Sequence, residues 1–199
     1  MIYRSAVIEE AKLLVSKRPQ HAVAYYYCEF KLPETQLLSN ILGSLIRQIA
    51  ASSDEAFEEL ETFYTERNEK AKHPILPSTE DLTKLLKRLS RCFECVMVVI
   101  DALDECTDPQ ERSSILQVLS TLNDEKGNCK LVYTSRDEID IRRNLSEYDS
   151  ISIAARGKDL ELYVAAVIEE RVKNRTLRLR DPALRGIIIQ GIVSKANGM

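Results

Sequence analysis

No stretch of this 199-residue sequence is apolar for long. The longest purely apolar strand-like run, Val96 to Ile100, falls far short of the ~20 residues a membrane helix needs. A charged, then apolar, then small-residue opening is also missing, so a cytoplasmic protein with reduced thiols is expected. Cysteines number five, an odd count, and only Cys92-Phe-Glu-Cys95 has C-x-x-C spacing. Zinc would need a second such pair, and a thioredoxin-like pair would follow a strand at a helix N-terminus. This pair instead lies between a helical pattern and a strand, where burial is the plainer expectation. The two histidines, His21 ahead of a strand and His73 in a loop, stand apart and read as surface residues, so no histidine-centred mechanism is indicated. Basic excess is lacking too: a net charge of -3 and a pI near 5.6 exclude the electrostatic footprint of a nucleic-acid or anionic-lipid binder. Internal repeats and low-complexity stretches are absent.

What is present, 44% hydrophobic and 30% charged residues, belongs to an ordinary globular chain whose length favours one domain. Acidic residues gather between Asp54 and Glu69 and basic ones between Arg171 and Arg185, both read as solvated helix faces. Helical and strand patterns alternate. A first helix is expected from about Tyr3 to Lys17 with Val7, Ala11, Leu14 and Val15 on one face, then a strand from Ala22 to Phe30. Leu37, Leu38, Ile41, Leu42, Leu45 and Ile49 recur at helical spacing, and a more acidic helix follows from about Asp54 to Lys70. After a loop at His73 to Pro77, Ser78 and Asp81 form a capping-box pattern ahead of Leu82, Leu85, Leu86 and Leu89. Cys95 to Ile100 is the continuous β-branched run of a strand covered on both faces. Asp108, Pro109 and Glu111 open a helix that should bury Ile115, Leu116 and Leu119, and Gly127 ends that connection.

Strands are then expected at Lys130 to Ser135 and at Ser150 to Ala154, with a short helix at Glu138 to Asn144 between them. Two further helices run from about Lys158 to Lys173 and from Pro182, capped by Asp181, to Ala196. This order implies an α/β fold, a mostly parallel sheet with helices on both faces. Residues 1–155 would form the α/β core and 156–199 a helical end.

The chemistry gathers where Val96 to Ile100 runs into Asp101-Ala102-Leu103-Asp104-Glu105, three carboxylates within five residues at a strand's C-terminal end. Ligands of open α/β sheets bind outside the carboxyl ends of the strands, and a carboxylate so placed is how P-loop NTPases hold magnesium. Asp101 would anchor Mg²⁺ through water, Ala102 would let the turn pack closely, and Asp104 or Glu105 would orient or deprotonate a water. The next strand ends in Ser135-Arg136-Asp137, and a helical crossover would bring both clusters to one edge. There Ser135 would touch nucleotide, and Arg136 would sense γ-phosphate charge through its forked donors. A solvated, helix-capping turn is the alternative. An EF-hand fits worse, since Asp101 to Arg112 has no glycine at its sixth position and no glutamate at its twelfth.

At these residues the sequence resembles the NACHT group of STAND NTPases, particularly the fungal and nephrocystin-like N-terminal NACHT domains. VMVVIDALDEC, Val96 to Cys106, is similar to their extended Walker B, and LVYTSR, Leu131 to Arg136, to their sensor strand. Weaker echoes are the VIEE of Val7 to Glu10, the AYYYCEF of Ala24 to Phe30 and the stretch Leu38 to Gln48. The resemblance implies a three-layer P-loop NTPase-like fold, Mg²⁺ with ATP or GTP as cofactors, and signalling in defence or programmed cell death. Its partners would be the other domains of a larger NACHT protein and copies of itself, with neither nucleic acid nor membrane.

One element of that pattern is missing. The phosphate cradle G-x-x-x-x-G-K-[ST] occurs nowhere in the 199 residues. By the family pattern Met1 stands about where the cradle's Ser or Thr would be, and the central strand before it is also absent. That strand lies between the sensor strand and the last one, so the sheet must close a gap or leave an edge exposed. At its other end the chain stops where the family continues into a winged-helix region. The expectation is a partial nucleoside-triphosphatase module that does not hydrolyse nucleotide alone. The alternatives are a non-catalytic interaction module and a degenerate gene fragment.

Overall fold

The computed structural model describes residues 6–69, 75–122, 127–152, 157–179, 181 and 183–195. Among these, His73, Pro182 and the first residues of the expected opening helix are not included. Three strands form one parallel sheet in the order β1 (His21–Tyr27), β2 (Cys95–Asp101), β3 (Cys129–Tyr133). The register pairs His21 with Cys95 through Tyr27 with Asp101, and Val96 with Cys129 through Ile100 with Tyr133. All three C-terminal ends therefore lie at one edge. The expected P-loop-like α/β class, a parallel sheet flanked by helices, is the architecture found.

Alternation along the strands sorts side chains to two faces. On one face Ala22, Ala24, Val96, Val98 and Ile100 pack with the buried residues of α2 (Leu38–Ala50), α4 (Thr79–Ser90) and α5 (Pro109–Ser120). The two alanines leave room for large neighbours: Ile41, Leu42, Leu45, Ile49, Leu85, Leu86 and Leu89 are all essentially inaccessible. Each such side chain stabilises the fold by about 1.5–3 kcal/mol through burial. The opposite face is thinner. There α1 (Ala6–Val15) sets Ile8 and Ala11 against Val99, with Val23, Tyr25, Met97 and Val132 around them. Leu14, expected on the inner face of this helix, is 52% exposed, because contact with the sheet is confined to the turn carrying Ile8 and Ala11.

The helix ends follow local chemistry. In α4 the Ser78 hydroxyl accepts from Asp81 N–H at 3.2 Å, and the Asp81 carboxylate accepts from Ser78 N–H at 2.9 Å, completing the expected box. Asp108 caps α5 through Gln110 N–H at 2.9 Å. For α2 the device is different: Leu37 occupies its N-cap with no side chain to offer, and Glu111 of α5 reaches across to accept from Leu38 N–H at 2.7 Å. The acidic α3 (Asp54–Asn68) fully buries only Ala56 and packs Leu60 and Phe63 partly against the core, its acidic side chains lying toward solvent. The connection from α5 passes Gly127 at φ 59°, a left-handed conformation that glycine adopts without strain.

Two expectations change. His21, read as a surface residue, is the first residue of β1 with its side chain 19% exposed, its Nε2 4.0 Å from Glu94. The strand expected at Ser150 to Ala154 is not seen: residues 150–152 join no ladder, Ile151 is 85% exposed, and the remainder lies outside the described residues. A strand needs a neighbour to satisfy its backbone, and here it has none among the described residues.

The chain divides into two compact units, Met1–Tyr148 and Asp149–Met199. The first also holds α6 (Ile139–Asn144), joined to α5 by the buried Arg112, whose guanidinium meets Asp140 at 2.7 Å. The second is a helical pair, α7 (Gly157–Lys173) and α8 (Ala183–Lys195), with Val164, Ile168 and Ile189 as its core. Asp181 caps α8 by accepting from Ala183 N–H at 2.8 Å. Among the described residues no helix is long and apolar enough to cross a membrane.

Candidate functional site at the carboxyl edge of the sheet

Strand β2 buries Val96, Val98, Val99 and Ile100, with Met97 half-buried, and ends at the half-buried Asp101. The chain then turns sharply. Ala102 adopts φ 57° and ψ 49°, a left-handed conformation that costs a non-glycine residue about 1–2 kcal/mol. A short 3-10 turn, Leu103–Glu105, follows, with Leu103 fully buried as its anchor. Thr134, at the end of β3, holds this strained turn in place. Its hydroxyl oxygen accepts from Ala102 N–H at 3.0 Å, its carbonyl accepts from Leu103 N–H at 2.9 Å, and its hydroxyl donates to Asp101 Oδ1.

The second carboxylate also reaches to the neighbouring strand's end. Asp104 Oδ1 accepts from Arg136 N–H at 3.0 Å, and its Oδ2 lies 3.4 Å from Arg136 Nε. The arginine side chain is 80% exposed, so this ion pair contributes at most about 1 kcal/mol and leaves the guanidinium free to exchange partners. Glu105 faces the other way: its Oε2 accepts from Phe30 N–H at 3.2 Å, in the loop that leaves β1. Ser135 is not joined to the group, since its hydroxyl donates to the Arg136 carbonyl in its own exposed loop. Three of the expected site residues, Asp101, Asp104 and Arg136, thus meet across β2 and β3, Glu105 is pinned toward β1, and Ser135 stands aside.

The electrostatics of this edge are negative. Cys28, whose N–H donates to the Asp101 carbonyl at 3.0 Å, is buried there, and burial pushes its thiol up from 9.0 to about 12. Cys106 and the carboxylates of Asp101, Asp104 and Glu105 add to the shift. Such a field suits a cation and opposes an isolated anion. The Cys92 thiol is likewise raised, first by burial and then by Glu55 and Glu59, the reverse of an activated redox thiol.

Thr134 and Gln36, discussed below, escaped the reading of the sequence. Thr134 had a faint signature, a hydroxyl residue directly before the Ser-Arg at a strand end. Gln36 had none.

A parallel sheet whose central strand empties into an acidic turn, clasped to its neighbour's arginine, defines an α/β domain with an acidic carboxyl edge. Within that class the chain belongs to the nephrocystin 3 N-terminal family, whose model matches residues 2–136, more than half of its length and ending on Arg136. No curated protein and no solved structure matches it.

Proposed function

We propose that this chain carries the magnesium and sensor side of a nucleotide-dependent signalling switch of the NACHT group of STAND P-loop NTPases, and does not hydrolyse nucleotide alone. The observation that carries the reading is the joining of the two clusters, Asp101 and Asp104 to Thr134 and Arg136, at the ends of adjacent parallel strands. One carboxylate oxygen of Asp101 is fixed by Thr134, which leaves the other to hold a metal-bound water. Among the described residues no three His, Cys, Asp or Glu side chains gather into a cage of their own, so on this reading the metal arrives with the nucleotide and takes only Asp101 from the edge. Magnesium commonly takes only one or two carboxylates, with waters and phosphates completing its shell. Bound there with ATP or GTP, it would neutralise charge developing on the phosphates. Asp104 and Glu105 are the groups to orient a water, Arg136 the group to leave Asp104 for a γ-phosphate, and Ser135 a nucleotide contact once its loop turns. Partners on this reading are further domains of a larger cytoplasmic protein and copies of itself.

Two tests bear on it. The coding sequence upstream of Met1 should contain an in-frame G-x-x-x-x-G-K-[ST] segment, and its absence sinks the switch reading. The 199-residue chain, titrated with fluorescent ATP and GTP in Mg²⁺, should bind neither at micromolar concentration. Micromolar binding that disappears in Asp101→Ala would make the chain nucleotide-competent without the cradle. A second reading, a module that binds related chains without hydrolysis, is favoured by the lack of any such cradle in the 199 residues.

A further inference from the structure

Gln36 closes the 3-10 turn Pro33–Gln36 and is one of the few buried polar residues, 8% exposed. Its side-chain amide is fully used. The nitrogen donates to the carbonyls of Glu29 at 3.2 Å and Phe30 at 3.3 Å, and the oxygen accepts from Thr107 N–H at 3.0 Å and Thr107 Oγ1 at 3.1 Å. The Cys106 thiol adds a weak bond to the Gln36 backbone carbonyl at 3.7 Å. An amide has two donors and two acceptor positions, so no other side chain of this length satisfies both partners at once.

The two ends of this bridge matter because of what is attached to them. One is the loop leaving β1, whose Phe30 N–H holds Glu105. The other is the residue pair that directly follows Glu105 in the chain. Gln36 therefore fixes the distance between the Glu105 carboxylate and the backbone group it rests on. We infer that Gln36 is a positioning residue for the acidic turn, setting where Glu105 is held by bridging the loops after β1 and β2. The inference takes its functional meaning from the nucleotide-site reading, while its geometric half stands by itself.

Amide hydrogen exchange and NMR on the full 199-residue chain, with Mn²⁺ as the metal probe, separate the two. In Gln36→Leu the amides of Phe30 and Thr107 should exchange about tenfold faster or more, with those of Val98 and Ile100 unchanged. Gln36→Glu retains the acceptor but turns a carboxylate on two carbonyls. Thr107 should stay protected and Phe30 lose protection, a split that general loosening cannot produce. Mn²⁺ should broaden Ala102 and Phe30 together in the natural chain and Ala102 alone in Gln36→Leu. If Gln36→Leu does not fold, Thr107→Val, which removes one of the four bonds, should still speed Phe30 exchange severalfold. Phe30 exchange within about twofold of the natural chain in a folded variant overturns the inference. Absence of Mn²⁺ broadening in every chain, with the exchange pattern as expected, shows that the edge holds no cation without nucleotide and leaves the positioning role intact, while the nucleotide-site reading falls separately, on the upstream coding sequence.

Discussion

The two edges of the sheet are finished differently. At β1 the outward backbone of Tyr25 is met by Gln48 of α2, whose side-chain oxygen accepts from Tyr25 N–H at 3.1 Å and whose nitrogen donates to the Tyr25 carbonyl at 2.8 Å. One amide thus stands in for a neighbouring strand at the middle of that edge. At β3 the even-numbered residues face β2, as the bonds from Val96 N–H to the Asn128 carbonyl and from Thr134 N–H to the Ile100 carbonyl fix. The backbone groups of Leu131 and Tyr133 consequently point outward, with no partner among the described residues. A side chain from a helix already packed on the sheet occupies the middle of one edge, whereas the other keeps two outward residues without a partner among the described residues, the kind of row that templates pairing.

Breaking the common support gives the largest effect. Ile100→Ala, in the fully buried central strand, should cost about 2–5 kcal/mol in urea unfolding and loosen both edges together. Removing the Gln48 clasp discriminates between them. Gln48→Leu should cost about 1–3 kcal/mol and speed Tyr25 amide exchange, while Leu131 exchange does not change. Equal exchange at Tyr25 and Leu131 in the natural chain would undo the comparison.

Alkaline titration compares the strand ends. Burial raises the Cys28 thiol, just beyond β1, and the Tyr133 phenol, the last residue of β3. Both groups are neutral below their unfolded values of 9.0 and 10.0, so their contribution is complete there. Above those values the unfolded chain releases the proton first, and stability falls by about 1.4 kcal/mol per pH unit for each group. For Cys28 the fall ends near pH 12. Denaturant midpoints should therefore drop from pH 9 in the natural chain and less steeply between pH 9 and 10 in Cys28→Ala, where the Cys92 and Cys106 thiols, also raised by burial, still contribute. The smallest effects concern single atoms. Ala102→Gly should raise stability by about 0.5–1 kcal/mol by relieving the left-handed turn, read as a shift in thermal midpoint. Tyr133→Phe at pH 7 should be close to neutral, since the buried hydroxyl it removes has the Tyr148 phenol near it but no partner within hydrogen-bond geometry among the described residues.

What could be read from the sequence was what is local. The β2 run, the Ser78 box, the Asp108 cap and the leucine spacing of α4 are each set within a few residues, and all took the expected form. The acidic turn and Arg136 were legible as two clusters, because each directly follows a strand. How they are joined was not legible. Thr134 with Asp101, Gln36 with Thr107, Glu111 with Leu38 and Gln48 with Tyr25 are polar contacts between 23 and 73 residues apart, and such pairs leave no periodicity in either partner. Of the strand expected at Ser150 to Ala154, the described residues, 150–152, join no ladder, and the rest lies outside the described residues. The alternation there is local and strand-like, but a strand exists only where a neighbour receives it.

The Gln48 clasp also has a consequence for symmetry. A sheet with two open edges can add copies without limit, head to tail. With Tyr25 occupied at the centre of one edge, that edge offers no unbroken row of backbone groups to a second sheet, whereas Leu131 and Tyr133 keep outward groups without a partner among the described residues. One glutamine thereby interrupts the head-to-tail repeat, β1 of one copy on β3 of the next, that a fibre of such sheets would need.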